Sequence, residues 1–234
     1  MNRTNLILLH GALGAASQMQ NLEDRLSDSF FVKTFNFSGH GGEPFLPDFG
    51  IEQFANELSE FIEKEGMEDV LIFGYSMGGY VALHHMVHNS SRVRGLITLG
   101  TKMAWSPEIA QSEIRHLKPK KIQEKVPQFA QALAERHAPN SWEQLLGRTA
   151  EMMIALGDGE ALTDGELSGV NEPVLVARGA LDHMVSKEES VWACNALGAA
   201  YKELDGIHHP FEKVPLESLD DLIRQGIAEL EQSY

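Results

Sequence analysis

Cysteine is nearly absent from this chain. Cys194 stands alone, so no internal disulfide can form. Its setting, Val191-Trp192-Ala193-Cys194-Asn195-Ala196-Leu197, is a helical pattern that reads as a small buried residue rather than a reactive thiol. Long apolar runs are missing too: no stretch approaches the roughly 20 residues a bilayer-crossing helix needs, and no membrane span is expected. Leu6-Ile7-Leu8-Leu9 is too short for a signal-peptide core and leads into His10-Gly11 without a cleavage site. It reads as a first strand, and a cytoplasmic location is the default expectation. Positive charge is scarce, with 19 Lys and Arg against 34 Asp and Glu and a formal net charge of -15. Such a surface repels phosphate backbones and anionic lipid. Nucleic acid and membrane are therefore not expected partners, and the charge says little about chemistry. Fixed-period repeats and low-complexity tracts are also lacking.

What is present suits one soluble domain, with or without a large insertion: 234 residues, 43% hydrophobic and 23% charged. Short apolar runs alternate with helical patterns. Leu6 to Leu9, Phe30 to Phe37, Val70 to Phe73 and Val93 to Leu99 read as strands, separated by helices over 17–28, 50–65 and 77–88. The rhythm returns late, with strands at Pro173 to Arg178 and Ala200 to Leu204 and helices at Ser186 to Leu197 and Leu216 to Leu230. Strand and helix in alternation predict an α/β fold, a mostly parallel sheet with helices on both faces. Residues 101–170 contain no good strand. Their amphipathic patterns, Pro107 to Leu117, Ile122 to His137 and Trp142 to Leu156, are broken at Pro119, Pro127, Pro139 and Gly157. The expected organisation is a core made of 1–100 and 171–234, with 101–170 inserted as a helical lid.

The most informative residue is Ser76, in Gly74-Tyr75-Ser76-Met77-Gly78-Gly79. It follows the strand pattern Val70-Leu71-Ile72-Phe73 and precedes the helical Tyr80-Val81-Ala82-Leu83. A chain that passes from strand to helix in so few residues strains the residue at the turn, and glycines at 74 and 78 remove the Cβ atoms that would collide with neighbouring elements. The turn exposes the hydroxyl and aims the helix N-terminus at whatever the serine attacks. A serine hydroxyl needs a base to take its proton and a third group to hold that base. Asp182 lies beyond the late strand at 173–178, and His208 and His209 lie beyond the final strand. The chain order is serine, carboxylate, histidine.

In that order and in its nucleophile turn the chain resembles the α/β-hydrolase family over nearly its whole length. Two further segments carry the resemblance: His10-Gly11-Ala12-Leu13-Gly14 is similar to the family's His-Gly oxyanion loop, and Ser38-Gly39-His40-Gly41-Gly42 to its Gly-His-Gly loop. The resemblance implies Ser76 as nucleophile, Asp182 as acid, and the backbone N–H groups of Ala12 and Met77 as oxyanion hole. His209-Pro210-Phe211-Glu212 matches the common His-Pro-apolar-Glu pattern, so His209 is taken as base. Other members read His-x-Pro, which keeps His208 as the alternative. The chain departs from the pattern at Asn36, where an aspartate is common, and at Glu43, where a serine is. It also begins at what is usually the third strand, which implies a sheet of about six strands.

Other residues have plainer readings. His84, His85 and His88 lack the companion glutamate of a metal motif and are expected on a partly exposed helix face. His10 and His40 are expected to bond backbone in their loops, and Asp205 is a weaker candidate for the acid. Met103, Trp105, Trp142, Met152 and Met153 are expected mainly in the core between insertion and sheet, some of them lining a pocket. The implied function is a serine hydrolase cleaving an ester or thioester of a small, partly apolar acid, with no cofactor. The alternatives are a cofactor-free lyase resembling the menaquinone-pathway synthase of this fold, and a non-catalytic receptor. The lyase's anionic substrate would call for arginines such as Arg115, Arg136 or Arg148. Haloalkane and epoxide chemistry is disfavoured, because those relatives use aspartate where this chain has Ser76.

Overall fold

A computed structural model describes residues 3–89 and 92–232 of the chain. Six strands form one parallel sheet: β1 (Thr4–Leu9), β2 (Phe30–Thr34), β3 (Val70–Tyr75), β4 (Val93–Leu99), β5 (Val174–Gly179) and β6 (Ala200–Leu204), in the order β2-β1-β3-β4-β5-β6. The pleat divides each central strand between two cores. Leu6, Leu8, Leu71 and Phe73 face helices α1 (Gln20–Leu26) and α10 (Leu216–Glu231). Ile7, Leu9, Val70 and Ile72 face α2 (Ile51–Lys64), α3 (Met77–Asn89) and α9 (Lys187–Leu197). Cys194 is buried in this second core, and burial pushes its thiol up to about 11, which suits packing rather than reaction.

The strand order locates the site. From β1 the chain moves outward to β2, then crosses back to β3 on the other side of β1. The connections leaving β1 and β3 therefore diverge to opposite faces, and a crevice opens at the carboxyl ends of these two strands. The loop starting at His10 and the turn at Ser76 meet in that crevice. Asp182 and His209 arrive from loops after β5 and β6.

Between β4 and β5 the chain is helical: α4 (Pro107–Ile114), α5 (Pro119–Lys125), α6 (Pro127–His137), α7 (Trp142–Ala155) and α8 (Asp164–Leu167). Prolines open α4, α5 and α6, where their missing N–H costs nothing. Pro127 also explains why Ile122–His137 is two helices: it pushes Val126 out of the helical region, to φ -139° and ψ 60°. The hydroxyls of Ser106 and Ser141 cap α4 and α7 by accepting from the N–H groups of Ile109 and Gln144. This insertion has a small core of its own in Ile122, Ala130, Leu133, Trp142 and Leu146, against which Leu13 of the β1 loop packs. The strand expected over Phe30 to Phe37 ends at Thr34, because Phe35 and Phe37 turn into an aromatic cluster with Phe54 and Phe61.

Candidate active site

Ser76 is the single residue between the end of β3 and the start of α3, and it takes up the reversal at φ +51°. That conformation is uncommon for a residue with a Cβ and persists because its surroundings enforce it. The Ser76 N–H donates to the Leu99 carbonyl at 2.9 Å, and its own carbonyl accepts from Gly79 N–H at 3.1 Å and from the Thr101 hydroxyl at 3.0 Å. Glycine is required on both sides. A Cβ at Gly78 would sit 2.6 Å from the Leu9 carbonyl oxygen and 2.7 Å from that of His10, and one at Gly74 would overlap the backbone of Gly79. The collisions anticipated from the sequence are thus with the end of β1 and the first turn of α3.

Three of the expected residues meet at this turn. Ser76 Oγ lies 3.3 Å from His209 Nε2, at the long end of hydrogen-bond reach, and His209 Nδ1 lies 2.8 Å from Asp182 Oδ2. An ionised carboxylate only accepts, so the Nδ1 side carries the hydrogen and Nε2 faces the serine as an acceptor. Asp182 is 4% exposed. Burial pushes its carboxyl up, but the hydrogen bond and charge of His209, with the N–H groups of Val185 and Met184 on Oδ1, outweigh it and leave it below the usual range. Arg178 clamps this loop through the Asp182 and Val185 carbonyls at 2.9 and 2.8 Å. The Tyr75 hydroxyl donates to the His209 carbonyl and holds the second loop.

The other candidates fall elsewhere. His208 is exposed, with its ring 6.4 Å from that of His183, so the alternative base is not brought to Ser76. Asp205 is exposed at the end of β6, and the imidazole bonds Asp182 instead. The reading of 84, 85 and 88 as a partly exposed face is corrected at His85, which is buried in the packing of α3 against α2. No cluster of three metal-ligating side chains occurs among the described residues.

Ala12 and Met77 border the same cavity as Ser76 and His209. Met77 opens α3, so its N–H has no carbonyl within the helix to bond. The turn at 11–14 closes through Gly14 N–H on the Gly11 carbonyl at 3.0 Å, which leaves the Ala12 N–H outside that bond. His10 and His40 are buried and bond backbone, His10 through Gly11 O and Phe37 N–H, His40 through Ser38 O. Burial pushes His10 down to about 4. Asn36 Oδ1 accepts from Ala16 N–H at 2.7 Å, which gives the residue that replaces the common aspartate a structural use.

The cavity has a volume of about 50 Å³, well below the roughly 300 Å³ at which drug-sized sites begin. Its walls are mainly apolar, with Trp105, Met152, Met153 and Leu156 from the segment between β4 and β5 lining the same cavity as Ser76. Met103 and Trp142 are buried away from it, as core. Its polar wall is Lys102 and Glu113, 3.4 Å apart, with Glu189 3.6 Å from the same ammonium. Arg115, Arg136 and Arg148 are not in its lining; they bond Gln111 O, Leu13 O with Glu212, and Pro47 O respectively. Lys102, Glu113 and Tyr75 carry no motif that marks them for the site, because their partners come from other elements: α4 and α9 for Lys102, and the loop after β6 for Tyr75.

No helix among the described residues is long and apolar enough to cross a membrane. Over 104 residues, 44% of this chain and 39% of the relative, the sequence is 28% identical to a pimeloyl-[acyl-carrier protein] methyl ester esterase of Vibrio vulnificus. Over 96 residues, 41% and 35%, it is 27% identical to a 2-succinyl-6-hydroxy-2,4-cyclohexadiene-1-carboxylate synthase of Yersinia enterocolitica. These matches span well under half the length of either relative. An esterase from Exiguobacterium antarcticum superposes with a TM-score of 0.78 at 16% identity, over 98% of this chain and 92% of that one, which is a likeness of fold. With residues 4–170 matching the alpha/beta hydrolase fold and six parallel strands carrying the matching architecture, the chain belongs to the alpha/beta hydrolase fold family.

Proposed function

We propose that this chain is a serine hydrolase that cleaves an ester or thioester of a small, partly apolar acid through an acyl-enzyme on Ser76. The observation that carries the reading is the continuous contact from Ser76 Oγ through His209 to buried Asp182 at the edge of a small apolar cavity. Ser76 Oγ bonds to the acyl carbon while its proton passes to His209 Nε2, and the carbonyl oxygen becomes an oxyanion received by the N–H groups of Ala12 and Met77. The bond to the alcohol or thiol then breaks, and that group leaves with the proton from Nε2. Water repeats the sequence on the acyl-enzyme, giving its proton to His209 and releasing the acid. Asp182 stays ionised throughout, holds Nδ1 and offsets the imidazolium charge.

The cavity favours hydrolysis over the lyase alternative. An anionic substrate would need a net positive wall, but among the described lining residues Lys102 stands between Glu113 and Glu189, and the three arginines are engaged elsewhere. The methyl ester esterase relative adds support for the ester class. The negative charge of the whole chain argues against an acidic carrier protein as the bulk of the substrate.

The test is labelling with a fluorophosphonate alongside turnover of p-nitrophenyl esters of increasing chain length. Labelling confined to Ser76, with turnover greatest for short acyl chains, is expected. A protein that resists the probe sinks the hydrolase reading, and labelling without turnover favours a receptor or lyase. His208→Ala is expected to retain activity that His209→Ala loses.

A further inference from the structure

We infer that Arg136, together with His137, is a positioning residue for the oxyanion donor at Ala12, and that it ties the Ala12–Leu13 loop to the loop carrying His209. The inference rests on the proposed reading of Ser76. Leu13 holds φ +58°, a conformation leucine seldom adopts unaided. Its carbonyl receives two donors from the end of α6: Arg136 Nη1 at 2.8 Å and His137 Nε2 at 3.0 Å. The Gly41 N–H donates to His137 Nδ1 at 3.0 Å, so the ring's remaining hydrogen is on Nε2 and points at Leu13. The Leu13 side chain packs into the insertion's own small core. Both ends of this residue are therefore held from the insertion, while Ala12, one residue earlier in the same tight turn, borders the cavity.

The second arm of the guanidinium reaches the other loop. Arg136 Nη2 bonds Glu212 Oε1 at 2.8 Å, three residues beyond His209, and Gln18 bonds the same oxygen. One planar fork thus spans the loop that offers an N–H to the oxyanion and the loop that offers the base, a geometry lysine cannot reproduce. Arg136 is not part of the cavity lining, and both arms of its guanidinium are already engaged by Leu13 and Glu212. Loosening it shifts the Ala12 donor relative to Ser76. Oxyanion contacts strengthen on going from the ester to the tetrahedral state, so the loss falls on kcat rather than KM.

The experiment compares wild type, Arg136→Ala, Arg136→Lys and Glu212→Gln by steady-state hydrolysis of a short p-nitrophenyl ester, with circular dichroism and thermal melts to report folding. A misplacement of about 1 Å costs on the order of 100-fold, so Arg136→Ala is expected to lower kcat by about that factor with KM nearly unchanged. Added guanidinium ion at sub-denaturing concentration should restore part of kcat in Arg136→Ala and nothing in wild type. Arg136→Lys and Glu212→Gln should show smaller losses, again in kcat, and they keep the inference testable if Arg136→Ala does not fold. A folded Arg136→Ala with wild-type kcat, a loss confined to KM, or a kcat loss that guanidinium leaves untouched overturns the inference. Fluorophosphonate separates the two levels. If wild type resists the probe, the reading of Ser76 fails and this inference with it; if wild type and Arg136→Ala are labelled equally fast, only the inference fails.

Discussion

The floor of the cavity and the clamp beside it are built by different means. The floor is main chain: Ser76 is locked by the hydrogen bonds its amide donates and its carbonyl accepts, and residues 74 and 78 are glycines because backbone from β1 and α3 occupies the space of their Cβ atoms. The clamp is side chain: α6, outside the cavity lining, reaches the loops after β1 and β2 through Arg136 and His137, across sequence separations of 96 to 124 residues. A backbone constraint is local and steric, so it leaves a pattern in the sequence. A side-chain clamp depends on which distant loop folding brings within reach, and it leaves none. The floor should therefore break abruptly when altered and the clamp by degrees.

The largest effect is expected at the floor's chemistry. Ser76→Ala should lower ester turnover by about 10⁴-fold or more while leaving the melting temperature near wild type, and Asp182→Asn should cost about 10⁴-fold through the wrong imidazole tautomer. Turnover by Ser76→Ala within tenfold of wild type would break the comparison at its base. Next comes steric intolerance. Gly78→Ala places a methyl on two carbonyl oxygens and should destabilise the fold by about 3 kcal/mol or more, measured by urea unfolding; a loss under about 1 kcal/mol would show that the turn yields.

The third effect concerns the clamp and the loop it holds. His10 and His137 are buried and pushed down to about 4, burial being the main cause for both. The unfolded chain, titrating near 6.5, binds more protons than the folded one between those values. Stability is at its full level above about pH 6.5 and declines as pH falls toward 4, with a loss of about 2 kcal/mol from each histidine, about 4 kcal/mol for the two, expected by pH 5. Urea midpoints at pH 7 and pH 5 check this, and equal midpoints would contradict it. The smallest effect is the counterpart of Gly78. Gly147, in the middle of α7, has open space where its Cβ would be, so Gly147→Ala should raise stability by about 0.5–1 kcal/mol, seen as a higher melting temperature with turnover unaltered.

Much of this was legible beforehand, for reasons that differ by element. The strands showed as apolar runs because both faces of the sheet are covered, and Pro127 marked the division of α5 from α6 because proline limits its predecessor whatever the fold. The preference for His209 over His208 rests on a short pattern in the sequence; in three dimensions His209 Nε2 lies 3.3 Å from Ser76 Oγ, while His208 is exposed beside His183. His85 went the other way: its buried position depends on α2 packing against α3, which no run of residues around it reveals.

By itself the sequence determined that the sheet is parallel, that Ser76 stands at a strained strand-to-helix turn, and that a carboxylate and a histidine follow it from later strand ends. These are consequences of periodicity, proline and glycine sterics and chain order, all local or one-dimensional. Only the tertiary structure decided which histidine meets Ser76, that Lys102 stands between two carboxylates, and that Arg136 bridges two loops instead of facing the cavity. Each of those is a meeting of groups from separate elements, and it exists only once the sheet edge, the loops and the helices between β4 and β5 have been brought together.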